Sequence, residues 1–233
     1  QVGEHIVTNN QAGFSLKVVR DKIRILMVSG TPSMNYRFLR NALKNDPSLD
    51  LLSFVIMRTP TDILNVPTQE QSLIPFPAET IFTKELPTFD LVIFDNFDYS
   101  LYLRPPYLES IRKFVREGGG FAMIGGPNLF NEGVNALSPI GDILPFRFAE
   151  KAFYRRDAPF SVRLTQAGAR HPILQFADDF RKEGAERRPL WQEMPPLDGI
   201  NVVDAKKSAT VLLENAGGIP WPILTVSEHG KGR

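Results

Sequence analysis

The chain has 233 residues, is 42% hydrophobic and carries 27 basic against 26 acidic side chains. That length holds one large domain, or one domain plus a fragment, with enough apolar residues for a sizeable core. A net charge of +1 supplies no field for nucleic acid or an anionic membrane surface, and the absence of cysteine excludes disulfides, thiolate metal sites and a thiol nucleophile.

In chain order, Phe14 to Val19 alternates with period two after the turn residues Asn9, Asn10 and Gly13, which predicts a half-buried strand. Residues 1–21 are therefore expected to be the terminal strand or strands of an upstream β-domain or a linker, with the main domain spanning 22–233. Ile23 to Val28 is a short apolar run followed by Ser29-Gly30-Thr31-Pro32-Ser33, the pattern of a buried parallel strand with a turn at its carboxyl end. Tyr36, Phe38, Leu39, Ala42 and Leu43 recur at helical spacing and stop before Asp46-Pro47. Leu51 to Met57 predicts a second strand. A polar, proline-rich stretch from Thr59 to Pro87 is too long for an ordinary connection and predicts a short helix or flap.

Phe89 to Phe94 predicts a third strand, ending in Asp95-Asn96-Phe97-Asp98. Pro106 to Glu117 predicts a helix with Leu108, Ile111, Phe114 and Val115 as its apolar stripe, closed by Gly118-Gly119-Gly120 in left-handed conformations. Phe121 to Ile124 predicts a fourth strand entering Gly125-Gly126-Pro127. This alternation argues for a mostly parallel sheet with helices on both faces. Beyond Asp142 the pattern turns antiparallel, with strands expected at Pro145–Phe148, Phe160–Leu164, Ala209–Leu213 and Pro222–Val226, and a loop-rich region over 168–197. Arg181-Lys182 and Arg187-Arg188 are interleaved with Glu183 and Glu186 and read as a solvated loop. No apolar run approaches the ~18 residues of a spanning helix. Both ends read as cut, the last at the turn Gly230-Lys-Gly-Arg233, so the domain is expected to be truncated at its C-terminus.

Three segments together carry a resemblance. Lys22-Ile-Arg-Ile-Leu-Met-Val-Ser-Gly-Thr-Pro-Ser-Met-Asn-Tyr-Arg-Phe-Leu-Arg40 resembles the opening of glutamine amidotransferase-like domains found in large bacterial membrane-anchored proteins. Gly118-Gly-Gly-Phe-Ala-Met-Ile-Gly-Gly-Pro-Asn128 resembles their central strand and elbow, and Arg170-His-Pro-Ile-Leu174 with the ending Pro222 to Arg233 fits the same pattern. The resemblance implies a flavodoxin-like three-layer α/β sandwich of the class I glutamine amidotransferase-like kind, with an antiparallel C-terminal extension. It also implies an upstream immunoglobulin-like β-domain, transmembrane segments elsewhere in the parent chain and an extracytoplasmic position. Its partners would be other domains of the same chain or a separate protein; nucleic acid and direct membrane insertion by this piece are not expected.

An active glutaminase of this class carries a cysteine on a Gly-x-Cys-x-Gly elbow, with a histidine and an acid behind it. Here the elbow reads Gly125-Gly126-Pro127-Asn128, and no register supplies a thiol or a serine. Non-catalytic binding in a crevice over the strand ends is the expectation, lined by Ser29, Gly30, Thr31, Ser33, Asp95, Asn96, Asp98, Gly125, Gly126 and Asn128, with no cofactor. The alternative is a hydrolase of another class using a metal or an acid/base pair at Asp95 and Asp98. Against it stands the ordinary role of aspartate as a loop cap. Ser29 to Ser33 could cradle an anion at a helix start, but it lacks both phosphate-binding glycine patterns, and an N-cap at Ser33 or Thr31 is the simpler reading. Arg37 and Arg40 read as a solvated helix face. His5, His171 and His229 show no metal spacing, and Trp191 and Trp221 read as packing residues.

Overall fold

The structure is a computed structural model that describes residues 22–57, 76–129, 138–148, 154–155, 159–175 and 194–233. The expected strand at Phe14–Val19, His5, Trp191 and the basic run 181–188 lie outside the described residues.

Strand β1 (Ile23–Ser29) is the centre of the fold because it is apolar on both faces. Ile25, Leu26, Met27 and Val28 are all buried. It pairs in parallel with β2 (Leu49–Val55) on one side and β3 (Leu91–Asp95) on the other, and β3 pairs in parallel with β4 (Gly120–Ile124). The order is β2-β1-β3-β4, so the chain crosses over β1 between β2 and β3 and reverses the direction of growth there. That reversal lies at the carboxyl ends of β1 and β3, the place where open α/β sheets bind ligands.

Helix α1 (Met34–Asn45) starts where Ser33 adopts an extended backbone and its Oγ accepts from the Tyr36 N–H at 3.0 Å. It stops at Asp46 because the following proline disfavours helical backbone before it. Tyr36, Leu39 and Leu43 lie against Ile25, Met27 and Ile93. Phe38, expected on this stripe, instead points outward at 67% exposure, since its position falls on the far side of the helix from Leu39 and Leu43.

The opposite face carries the larger core. The long stretch between β2 and β3 ends in helix α2 (Ala78–Thr80), which runs on as a π turn over Ile81–Glu85 and a 3₁₀ turn over Leu86–Thr88; residues 58–75 of that stretch lie outside the described residues. Helix α3 (Pro105–Glu117) begins with proline where a missing N–H is harmless and buries Tyr107, Leu108, Ile111 and Val115. It ends at Gly118 (φ 129°), the one glycine of the triplet 118–120 in the left-handed region; Gly120 belongs to β4. Phe82, Phe94, Phe97, Tyr99 and Phe121 interlock between these helices and the sheet, mostly edge to face.

Helix α4 (Pro139–Ile143) leads into an antiparallel extension. Strand β5 (Phe146–Phe148) pairs with β9 (Val203–Ala205), β6 (Tyr154–Arg155) pairs with β8 (Ile200–Asn201), and β7 (Val162–Leu164), β10 (Thr210–Asn215) and β11 (Pro222–Val226) form a small sheet in the order β11-β10-β7. The strands β8 and β9 fall just after the loop-rich stretch and are not among the expected strands, because two- and three-residue runs leave no measurable period. The terminal turn does not stand alone. The Lys231 N–H donates to the Arg116 carbonyl, and the Phe121 N–H donates to the Arg233 carbonyl, so the last residues dock on the end of α3 and the rim of β4.

Candidate functional site

The loops after β1, β3 and β4 meet at one end of the sheet, and a single side chain joins them. Asn96 follows β3 with φ 43°, the only positive φ at a non-glycine residue among those described. Asparagine tolerates that conformation better than most residues. Its N–H donates to the Ile124 carbonyl at 2.9 Å, its Oδ1 accepts from the Asn128 N–H at 2.8 Å, and its Nδ2 donates to Thr31 Oγ1 at 3.3 Å. The loops after β1 and β4 therefore hang on one amide from β3.

This amide also occupies the elbow. A Cβ added at Gly126 would stand 2.3 Å from Asn96 Oδ1, and one at Gly125 would stand 2.3 Å from Asn201 Oδ1. Asn201 comes from β8, and its Nδ2 donates to the Gly126 carbonyl at 3.0 Å. Neither Gly125 nor Gly126 has a positive φ, so the strained turn that lifts a nucleophile above its strand is not formed here. Asn201 had no mark in the sequence: a lone asparagine in a short apolar run carries no spacing signal.

The remaining expected residues divide into two groups. Ser29, Gly30, Thr31 and Asp95 converge. The Gly30 N–H donates to the Asp95 carbonyl at 2.9 Å, and the Ser29 hydroxyl lies 2.8 Å from Asp95 Oδ2 and 3.0 Å from the Thr31 carbonyl. Ser33 and Asp98 serve helix starts instead. Ser33 caps α1, and Asp98 Oδ1 accepts from the Ser100 N–H at 3.2 Å and from its hydroxyl, capping the 3₁₀ turn Tyr99–Leu101. Asp95 and Asp98 thus face different partners. Among the described residues no group of three or more histidine, aspartate or glutamate side chains is placed to hold a metal. His171 Nδ1 accepts from the Ile173 N–H and caps the 3₁₀ turn at Pro172–Leu174, and the His229 N–H donates to Gly232 in the terminal turn.

Burial pushes the Asp95 carboxyl above the ordinary aspartate value, and the Ser29 hydrogen bond opposes that shift in part. Burial also pushes the Tyr99 phenol up, with a hydrogen bond to Ser138 opposing and Asp98 adding to the rise. A carboxyl that holds its proton more tightly when folded stabilises fully below its unfolded pKa. That stabilisation is lost as pH rises through the folded pKa. Above its folded pKa the Asp95 carboxylate therefore opposes folding. Asp95→Asn is expected to be more stable than the parent at about pH 7, with the difference shrinking as pH falls toward ~4. Urea unfolding at the two pH values checks this. A variant less stable at both would show that the carboxylate is held in its charged form.

The comparisons with known proteins address the fold. No protein-family model and no curated protein sequence matches the chain. Among solved structures it is similar to a cytoplasmic protein from Salmonella typhimurium, at TM-score 0.57 and 15% identity over 90% of this chain and 85% of that one. It is also similar to a ThuA-like protein from Bacteroides uniformis, at TM-score 0.50 and 11% identity over 94% of this chain and 82% of that one. With the parallel order β2-β1-β3-β4, these likenesses show a flavodoxin-like α/β fold with a separate antiparallel extension. Among the described residues no helix is long and apolar enough to cross a membrane.

Proposed function

We propose that the chain is a non-catalytic, amidotransferase-like binding or scaffolding domain of a larger, membrane-anchored bacterial protein. Residues 22–233 would be that domain and 1–21 the end of an upstream β-module. Its crevice over the strand ends would engage another domain of the same chain or a separate protein, on the extracytoplasmic side. The anchoring and the placement come from the sequence resemblance described above.

One observation carries the non-catalytic reading. The space above β4, where the family's nucleophile would stand, is filled by the amides of Asn96 and Asn201 against two glycines. His171 is taken up through its Nδ1 as the cap of a 3₁₀ turn. Loss of a nucleophile removes about six orders of magnitude in the best-studied triads. The acids of the alternative hydrolase are each engaged, Asp95 with Ser29 and Asp98 with Ser100, and nothing observed favours a shared metal or an acid/base division between them.

A glutaminase assay tests the reading. Ammonia release from glutamine is expected to equal the buffer blank for the parent protein. It is expected to stay there for Gly126→Cys, because the new side chain meets Asn96 and finds no base. Release well above the blank by the parent, abolished in Asp95→Asn, would sink the proposal in favour of the acid-pair enzyme.

A further inference from the structure

Ser29 and Asp95 sit in register on adjacent strands, at 0% and 4% exposure. No ion pair reaches the Asp95 carboxylate among the described residues. Among the described residues the groups around it have other partners or are apolar. The neighbouring strand β4 sets the apolar Ile124 opposite it, Asp98 on its own loop is turned to Ser100, and Tyr36 and Arg40 of α1 are both turned to Ser53 on β2. Among the described residues the Ser29 hydroxyl has two hydrogen-bond neighbours, Asp95 Oδ2 at 2.8 Å and the Thr31 carbonyl at 3.0 Å.

A serine hydroxyl has one proton to give and two lone pairs to offer. The Thr31 carbonyl can only accept. When Asp95 is ionised it too can only accept, so one proton must serve two oxygens. When Asp95 is protonated the chain closes, with Asp95 Oδ2–H donating to Ser29 Oγ and Ser29 Oγ–H donating to the Thr31 carbonyl. We infer that Asp95, Ser29 and the Thr31 carbonyl form a proton-operated latch on the loop after β1. The protonated latch holds the Thr31 carbonyl inward. Loss of one proton from Asp95 to solvent turns the Ser29 hydroxyl onto the carboxylate and releases that carbonyl to a hydrogen-bond donor in the crevice.

Burial without a cation favours the closed, neutral form. The latch also bears on the whole strand-end region, because Thr31 Oγ1 accepts from Asn96, which holds the β4 loop in turn. The inference deepens the crevice reading: it assigns the ligand class that the open form would take, a neutral or cationic hydrogen-bond donor, and makes its binding favour higher pH.

The test is a pH titration of carbon-13-labelled protein, following the Asp95 carboxyl carbon and the Thr31 carbonyl carbon together. Both are expected to move with one midpoint, above the ordinary aspartate range. Asp95→Asn, whose Nδ2 can replace the carboxyl proton, is expected to freeze the Thr31 signal at its low-pH position. Ser29→Ala is expected to leave Asp95 titrating while Thr31 stays still. A Thr31 carbonyl that does not move through the Asp95 transition, or an Asp95 that titrates at or below its ordinary value, would overturn the latch. Ammonia release would sink the non-catalytic reading and leave these resonances as they are, so the two failures are told apart.

Discussion

Phe94→Ala is expected to lower the unfolding free energy by about 4 kcal/mol, within the span seen for phenylalanine truncation in packed cores. The ring has 0% exposure and sits at the centre of the aromatic face of the sheet. Its centroid lies 5.0 Å from Phe97, 5.2 Å from Phe121, 6.2 Å from Tyr99 and 6.4 Å from Phe82, two of those partners being residues of the β3 loop. Rings held from several sides cannot all close in on the void, so little of the lost contact is recovered by relaxation. Phe38→Ala provides the internal control. That ring is 67% exposed on the outer side of α1, and its removal is expected to change stability by no more than about 0.5 kcal/mol. Urea unfolding of the two variants decides the matter; equal losses would mean that the β3 face is not the core.

Gly30→Ala is expected to be the most damaging single methyl at the strand ends, at about 3 kcal/mol, the upper part of the usual overpacking range. The added Cβ would stand 2.0 Å from the Asn96 carbonyl oxygen and 2.9 Å from the Phe97 Cα. Both are backbone atoms on a loop that is pinned by Asn96, so no rotamer change relieves the clash. The loops after β1 and β3 would have to separate, breaking the Gly30 N–H to Asp95 carbonyl bond. Amide resonances of Asn128 and Thr31 should therefore shift along with the stability, since both hang on Asn96. Gly120→Ala is expected to cost much less, because its Cβ meets the flexible Leu91 Cδ1 at 3.0 Å and leaves the crevice untouched. If Gly30→Ala proves neutral and leaves Asn128 unmoved, Asn96 does not couple the loops.

Much of the scaffold was legible in the chain. The apolar run at Ile23–Val28, the cap at Ser33, the stop at Asp46-Pro47, the stripe of α3 and the glycine after it all follow from local rules, and the structure has them within a residue or two. The errors are also local in kind. Phe38 belongs to the helical spacing of Tyr36, Leu39 and Leu43, yet the helix turns it outward. The short strands β8 and β9 are too brief to show a period. Of the expected crevice residues, Ser33 and Asp98 cap helix starts, as serine and aspartate commonly do in such turns.

The amino-acid sequence by itself determined the alternation of strands and helices, the lack of a sulfur nucleophile and the set of loops that end the parallel strands. Only the tertiary structure decided how those loops meet. Asn96 bridges residues 65 positions before it and 32 after it, and Asn201 reaches back 75 positions to Gly126. Contacts of that range are selected by strand order and by the burial of whole faces, to which local propensity contributes nothing. Hence the glycine elbow could be read residue by residue, while the amides that fill it became visible only once the fold had brought β3 and β8 beside it.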